Sequence, residues 1–188
     1  MGSARMKILG ISGKRESGKS SLGKFLTAYG FNRVSLATPL KEACKRDYGL
    51  TDDQVYGVFK EQPTQYKRTD GSFYTPRDIL IREGCLKRSI DPLYWCKNLH
   101  FLMKTAYYTD SFIIDDIRFI NEVEYFKKLG AKFIRLERSQ EAIGKAALDD
   151  LSECDLDNYK DWDFRLIKEL NRNLNDLKQF AEYIVAHL

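Results

Sequence analysis

Gly13-Lys14-Arg15-Glu16-Ser17-Gly18-Lys19-Ser20 spells G-x-x-x-x-G-K-[ST], the spacing of a glycine loop that wraps phosphate. Its flanks decide the fold. Residues 6–11 before the loop read as a short buried strand, and behind it Leu22, Phe25, Leu26 and Tyr29 recur at i, i+3, i+4 and i+7, one face of a helix. Phosphate binding needs this strand, loop and helix start. Backbone N–H groups at a helix N-terminus point at the ligand, and the helix dipole favours negative charge. Gly13 and Gly18 are expected to permit the tight turn and the close approach of backbone to ligand. The expected nucleotide-binding set is Gly13, Ser17, Gly18, Lys19, Ser20 and Ser21. Within it Lys19 would reach the β- and γ-phosphates of the nucleotide, and Ser20 would hold Mg²⁺.

Outward from the loop, Gly30 closes the first helix and residues 31–36 read as a second strand. Pro39 lies in the first turn of a helix running to about Tyr48. A short helix near residues 51–59 has Thr51 as its N-cap. Residues 60–74 are polar, with Pro63 and Asp70-Gly71, and are expected to be a mobile loop with few apolar anchors. Thr75-Pro76 opens the next helix as N-cap and first residue; it is expected to end near Arg88, beyond a first helical run closed by Gly84. Asp91-Pro92 opens another through Lys104. Residues 112–116 form an apolar strand ending in carboxylates, and Phe119, Val123, Phe126 and Leu129 follow at helical spacing. After a strand at 132–136, residues 140–161 read as a second mobile segment. A last strand at 164–167 precedes a long amphipathic helix from Leu170 to the C-terminus. Alternating strands and helices predict an α/β fold of three layers, a parallel sheet with helices on both faces, in a single domain over residues 1–188. Residues 1–5 read as vector-derived, with Met6 the natural start.

A chain of 188 residues can bury a sizeable core. Its net charge of +4, from 31 basic and 27 acidic residues without a block of like charge, neither demands nor excludes nucleic acid. Four scattered cysteines, with no C-x-x-C pair and no signal-peptide pattern, are expected of a reduced, cytoplasmic chain. No apolar run approaches the roughly 18 residues of a membrane span. With two histidines, His100 and His187, histidine-based metal or triad chemistry is disfavoured.

Two further constellations could carry chemistry. In Ile113-Ile114-Asp115-Asp116-Ile117-Arg118, a strand-terminal carboxylate at the sheet's carboxyl edge can orient Mg²⁺, and the nearby guanidinium suits bidentate contact with phosphate. In Thr75-Pro76-Arg77-Asp78-Ile79-Leu80 through Arg88, the basic residues fit a ligand-binding helix and equally an ordinary amphipathic one.

Taken in order, these motifs resemble the phage-type deoxynucleoside monophosphate kinases, P-loop phosphotransferases distantly related to animal-type phosphomevalonate kinase. The similarity runs over nearly the whole chain from Met6. Gly10 to Lys19 looks like that family's start, Pro39-Leu40-Lys41-Glu42-Ala43 like its P-L-K-E-A element, and Thr75-Pro76-Arg77 like its T-P-R helix. Gly84-Cys85 stands where the family has Gly-Thr, and Trp95 follows at the expected distance. Asp116-Ile117-Arg118-Phe119-Ile120-Asn121-Glu122 resembles D-x-R-F-x-N-E. Ser152-Glu153 resembles the late H-x-S-E, with Asp150 in the histidine position. Ser20 and Ser21 sit where relatives have Asp and Thr, so either could hold Mg²⁺.

The resemblance implies transfer of the γ-phosphoryl group of ATP to a nucleoside monophosphate. It assigns acceptor binding to Lys14, Arg15, Arg77, Gly84, Trp95, Asp116, Arg118 and Glu122, and Mg²⁺ to Ser20 and Asp116, with Asp115 as a further candidate. Lys19 and Arg118 act on the transferred group, and Arg138 would join them as an internal arginine finger. No stable nucleic-acid partner and no membrane are expected, a homodimer stays open, and a phage-encoded chain would work in the host cytoplasm. Three alternatives stand beside this reading: a phosphomevalonate-type kinase, a GTPase-like switch, and a nucleic-acid module using residues 60–74. The switch is disfavoured because the guanine-reading N-K-x-D motif is absent.

Overall fold

The computed structural model describes residues 6–14, 16–107, 109–138, 155–168 and 173–188, the side chains of Arg138 and Lys168 excepted. Within them five strands, β1 (Lys7–Gly13), β2 (Asn32–Val34), β3 (Ser111–Ile114), β4 (Lys132–Arg138) and β5 (Phe164–Lys168), form one sheet in the order β2-β3-β1-β4-β5. Every pairing is parallel, from Lys7 opposite Ser111 to Gly13 opposite Leu136. A parallel sheet buried on both faces needs strands with near-continuous apolar runs, and Ile8, Leu9 and Ile11 or Phe112, Ile113 and Ile114 provide them. The α/β P-loop fold expected from the motif is the one observed.

Seven helices are described: α1 (Lys19–Thr27), α2 (Ala37–Tyr48), α3 (Asp52–Val55), α4 (Pro76–Ile90), α5 (Tyr94–Thr105), α6 (Ile120–Lys128) and α7 (Leu174–Ala186), with a 3₁₀ turn at Val58–Glu61. The chain divides into two compact units, Met1–Ser35 with Met103–Leu188, and Leu36–Leu102.

In the first unit, Leu9, Ile11, Ile113, Ile134 and Leu136 on one sheet face pack with Leu22 and Leu26 of α1 and with Leu177, Phe180 and Ile184 of α7. Alternation along β1 turns Ile8, Gly10 and Ser12 to the opposite face, where α6 packs on the strand. Gly10 is required there: a Cβ would collide with the Phe133 ring. Strand β1 sits between β3 and β4, where the chain changes direction across the sheet, and crevices at such switch points are where α/β sheets bind ligands.

In the second unit, Cys44, Leu50, Val55 and Ile79 form a small core. Thr51 and Thr75 each close a reciprocal capping box, with Gln54 and Asp78, so the two helix starts read from the sequence are confirmed. Helix α4 runs to Ile90, close to the expected end near Arg88, and passes through Gly84 without the break that glycine suggested. Gly84 is buried, a Cβ there would lie 3.4 Å from Leu40, and its carbonyl accepts the Trp95 indole N–H at 3.3 Å. Tertiary packing thus overrides the weak helix propensity of glycine. Residues 60–74 also differ from expectation. Tyr74 N–H donates to Tyr66 O and Arg68 N–H to Ser72 O, a short hairpin around the Lys67–Phe73 bridge, and Tyr66 and Tyr74 pack against the core. The expectation of few apolar anchors is therefore corrected for this segment.

Helix α5 begins at Tyr94, because Asp91 caps the end of α4 and its carboxylate accepts the Leu93 N–H. Helix α7 starts at Leu174, with Asn173 as N-cap, rather than at Leu170. Among the described residues no helix is long and apolar enough to cross a membrane.

Candidate functional site

Strand β1 delivers the glycine loop to the start of α1. The Ser17 N–H donates to the Lys14 carbonyl at 3.2 Å, and Glu16 takes φ 61°, a left-handed conformation uncommon outside glycine. Gly18, at φ 98°, is the N-cap of α1. It supplies no capping side chain, and the first turn holds no acidic residue. A helix start built this way leaves its first N–H groups for an anion. Lys19 folds back over the loop, its ammonium donating to the Gly13 carbonyl at 2.5 Å and the Lys14 carbonyl at 2.7 Å.

Gly13 itself belongs to β1. A Cβ there would meet the Leu136 carbonyl and Ser17 Oγ, both at 2.5 Å, so the sheet and the loop require this glycine rather than a ligand. Ser17 is 1% exposed, and its Oγ has no hydrogen-bond partner among the described residues. Buried hydroxyls normally have one, and an orphan at a loop of this kind suits a polar ligand or water.

Loop residues 16–21 line a pocket of about 480 Å³ together with Asn173, Leu174 and Leu177 at the start of α7. That size lies within the roughly 300–1,000 Å³ of small-molecule sites. The wall from α7 was not anticipated. In the sequence Leu174 and Leu177 carry only the stripe of a core helix, and Leu177 does pack in the core.

At the end of β3 the two carboxylates separate. Asp115 pairs with the Arg33 guanidinium of β2, and burial pushes its carboxyl pKa up against that pairing. Asp116 accepts the Ser35 hydroxyl at 2.6 Å. Asp115, offered from the sequence as a second Mg²⁺ carboxylate, is therefore committed to Arg33. Arg118 follows on the same connection, and its backbone N–H donates to Glu122 Oε2 at 2.8 Å.

A second cavity, of about 10 Å³, gathers Ser12, Lys19, Arg118, Arg135 and Leu156. Lys19 and Arg118 share its wall, and with them stands Arg135, which the sequence reading missed. Arg135 is 5% exposed. Its guanidinium donates to Ser12 Oγ at 3.1 Å and to Asp157 Oδ1 at 2.9 Å. The available signal was a charged residue inside the apolar run Phe133-Ile134-Arg135-Leu136, since arginine is almost never fully buried without partners.

In the second unit Arg77 is exposed and ion-paired with Glu61. Trp95 is 4% exposed, and its indole fixes Gly84 as described above. Arg15, residues 140–154 with Asp150 and Ser152-Glu153, and the side chain of Arg138 lie outside the described residues; the Arg138 backbone ends β4 opposite Lys168.

No family model matches the chain. A protein of Acanthamoeba polyphaga mimivirus, named "Putative deoxynucleotide monophosphate kinase", is 30% identical over 196 residues, covering 96% of this chain and 95% of that protein. Among solved structures, dephospho-CoA kinase from Campylobacter jejuni superposes with a TM-score of 0.55 at 17% identity, with 96% of each chain covered. TT1252 from Thermus thermophilus superposes with a TM-score of 0.56 at 16% identity, with 98% of each covered. These two likenesses show the fold.

Proposed function

The chain belongs to the family of that mimivirus protein, and from this premise we propose that it transfers the γ-phosphoryl group of ATP to the phosphate of a deoxynucleoside monophosphate. The observation that carries the proposal is the start of α1, where the uncapped, glycine-led N-terminus and Lys19 open on a pocket large enough for a nucleotide. A lysine already folded over the loop carbonyls needs only a small swing to bind phosphate oxygens.

On this reading Lys19 and the first amides of α1 hold the β- and γ-phosphates of the donor. Arg118, which shares a cavity wall with Lys19, binds the acceptor phosphate, while Glu122 fixes the Arg118 backbone. An acceptor oxygen bonds to the γ-phosphorus as the bond from that phosphorus to the β,γ-bridging oxygen breaks, giving ADP and a nucleoside diphosphate. The attacking oxygen is already anionic, so no general base is needed. Positioning and charge stabilisation are the protein's task. Arg77, Lys14 and Arg15 keep the phosphate-binding roles that the resemblance assigns, and Arg138 that of arginine finger. Gly84 and Trp95 serve acceptor binding by fixing each other within their unit.

The residues present fit Mg²⁺, a hard cation that takes oxygen ligands and retains several waters. Ser20, or its neighbour Ser21, offers a hydroxyl in the pocket, and Asp116 offers a carboxylate oriented by Ser35. When bound, the ion supplies charge neutralisation at the β- and γ-oxygens. Measuring ADP release from ATP and Mg²⁺ across the deoxynucleoside and ribonucleoside monophosphates, with phosphomevalonate as comparison, tests the proposal. Release stimulated by a deoxynucleoside monophosphate is expected; stimulation by phosphomevalonate alone would overturn it.

A further inference from the structure

A single carboxylate joins the glycine loop to the buried arginine. Asp157 Oδ2 lies 2.9 Å from the Lys14 ammonium, and Asp157 Oδ1 accepts from Arg135 at 2.9 Å. The two cations are held very differently. Arg135 is buried and further fixed by Ser12 Oγ, by Glu137 Oε1 at 3.4 Å, and by the Trp162 ring 5.6 Å away. Lys14 is on the loop, with 31% of its side chain exposed. Asp157 is anchored from its own turn, because Leu156 is buried and Asp155 Oδ2 accepts the Ile120 N–H at the start of α6. Arg135 shares its cavity with Lys19 and Arg118, so the carboxylate stands beside a strongly cationic site.

We propose that Asp157 is a positioning residue, an internal counter-ion that parks Lys14 beside Arg135 and releases it to the phosphoryl oxygens of the substrate. The proposal rests on the phosphoryl-transfer reading above. Burying Arg135 requires a compensating charge, which Asp157 provides. Lys14 needs no such compensation, and its long stem lets the ammonium move a few ångströms to a phosphate of higher charge. Asp157 then remains on Arg135, and its negative charge opposes ground-state binding of the anion. The carboxylate thus keeps the cations in place at a cost in affinity.

The test is equilibrium binding of inorganic tripolyphosphate to the full chain by calorimetry. This readout does not depend on which acceptor is used. Asp157→Asn keeps an acceptor for Arg135 but removes the charge, and is expected to bind tripolyphosphate about threefold to tenfold more tightly than wild type, on the scale of one partly exposed charge. Asp157→Glu restores the charge and should return the affinity to near the wild-type value. A merely structural aspartate would give weaker binding on substitution. Weaker or unchanged binding by Asp157→Asn overturns the proposal. Should that variant fail to fold, Lys14→Gln leaves the Arg135–Asp157 pair intact and should lose about fivefold in affinity; unchanged affinity overturns the proposal equally. A wild type that binds tripolyphosphate yet phosphorylates no deoxynucleoside monophosphate would refute the proposed function instead.

Discussion

Glu122 Oε2 accepts the backbone N–H of Arg118 at 2.8 Å and that of Phe119 at 3.1 Å. A residue expected from its motif to meet the acceptor is buried and braces the backbone of Arg118, the residue we propose to contact the acceptor phosphate and the transferred group. Leaving two N–H groups unsatisfied in place of a charged acceptor should cost about 1–3 kcal/mol. Glu122→Ala is expected to lower the urea midpoint and the kcat/KM for the acceptor together, and Glu122→Gln, which keeps an accepting oxygen, to recover most of both. Denaturation and steady-state kinetics on the same preparations check this. Activity lost without any loss of stability would instead mean that Glu122 meets the substrate itself.

Arg118 and Arg77 differ in their surroundings, which separates their expected effects. Both residues are exposed, but Arg118 lines the cavity with Lys19, whereas Arg77 is ion-paired with Glu61. Removing a charge-assisted contact with phosphate should cost about 1.5–3 kcal/mol in kcat/KM for the monophosphate. Arg118→Ala is expected to show that loss with ATP affinity nearly unchanged. Arg77→Ala should also weaken acceptor use, with little change in stability because its ion pair is solvent-exposed. Direct titration of each ligand checks the assignment; collapse of ATP affinity with acceptor affinity intact would reverse it.

Lys19→Ala should abolish phosphoryl transfer while leaving the fold in place. Its ammonium donates to the Gly13 and Lys14 backbone carbonyls of its own loop, and Lys19 is outside the hydrophobic core cluster of the first unit, so little packing depends on it. Melting temperature and turnover, measured together, test this. A folded variant with activity within about tenfold of wild type would exclude a transition-state role for this charge.

Asp78 predicts an acid limb for the second unit. Its carboxyl is held down to about 2, from an ordinary 3.8, by the Thr75 backbone N–H, the Thr75 hydroxyl and Arg68. The folded form therefore binds fewer protons than the unfolded form between these values. The stability that Asp78 contributes is present above about pH 4 and is lost as pH falls through about 2. Asp78→Asn should be less stable than wild type near neutrality and should show a flatter decline over that interval, as read by thermal melts at stepped pH.

The glycine loop and the helix starts were legible in the sequence because their signals are local. The capping boxes at Thr51 and Thr75 each lie within four residues, and G-x-x-x-x-G-K-S is contiguous. What escaped depends on distant partners. Asp115 is taken by Arg33 across more than eighty residues. Arg135 becomes part of the site only once β4 is placed beside β1, with Arg135 opposite Ser12. Periodicity marks Leu177 as core, yet the same side chain borders the pocket. One-dimensional patterns record which face is apolar, not where that face ends at a cavity.

Incubating the protein with ATP labelled in its γ-phosphoryl group, Mg²⁺ and a mixture of deoxynucleoside monophosphates, and identifying where the label goes, separates phosphoryl transfer from hydrolysis. Label recovered in a deoxynucleoside diphosphate, absent with Lys19→Ala, is the predicted result. Label released solely as inorganic phosphate, at a rate indifferent to any monophosphate, would identify a nucleotide-hydrolysing switch in place of a kinase.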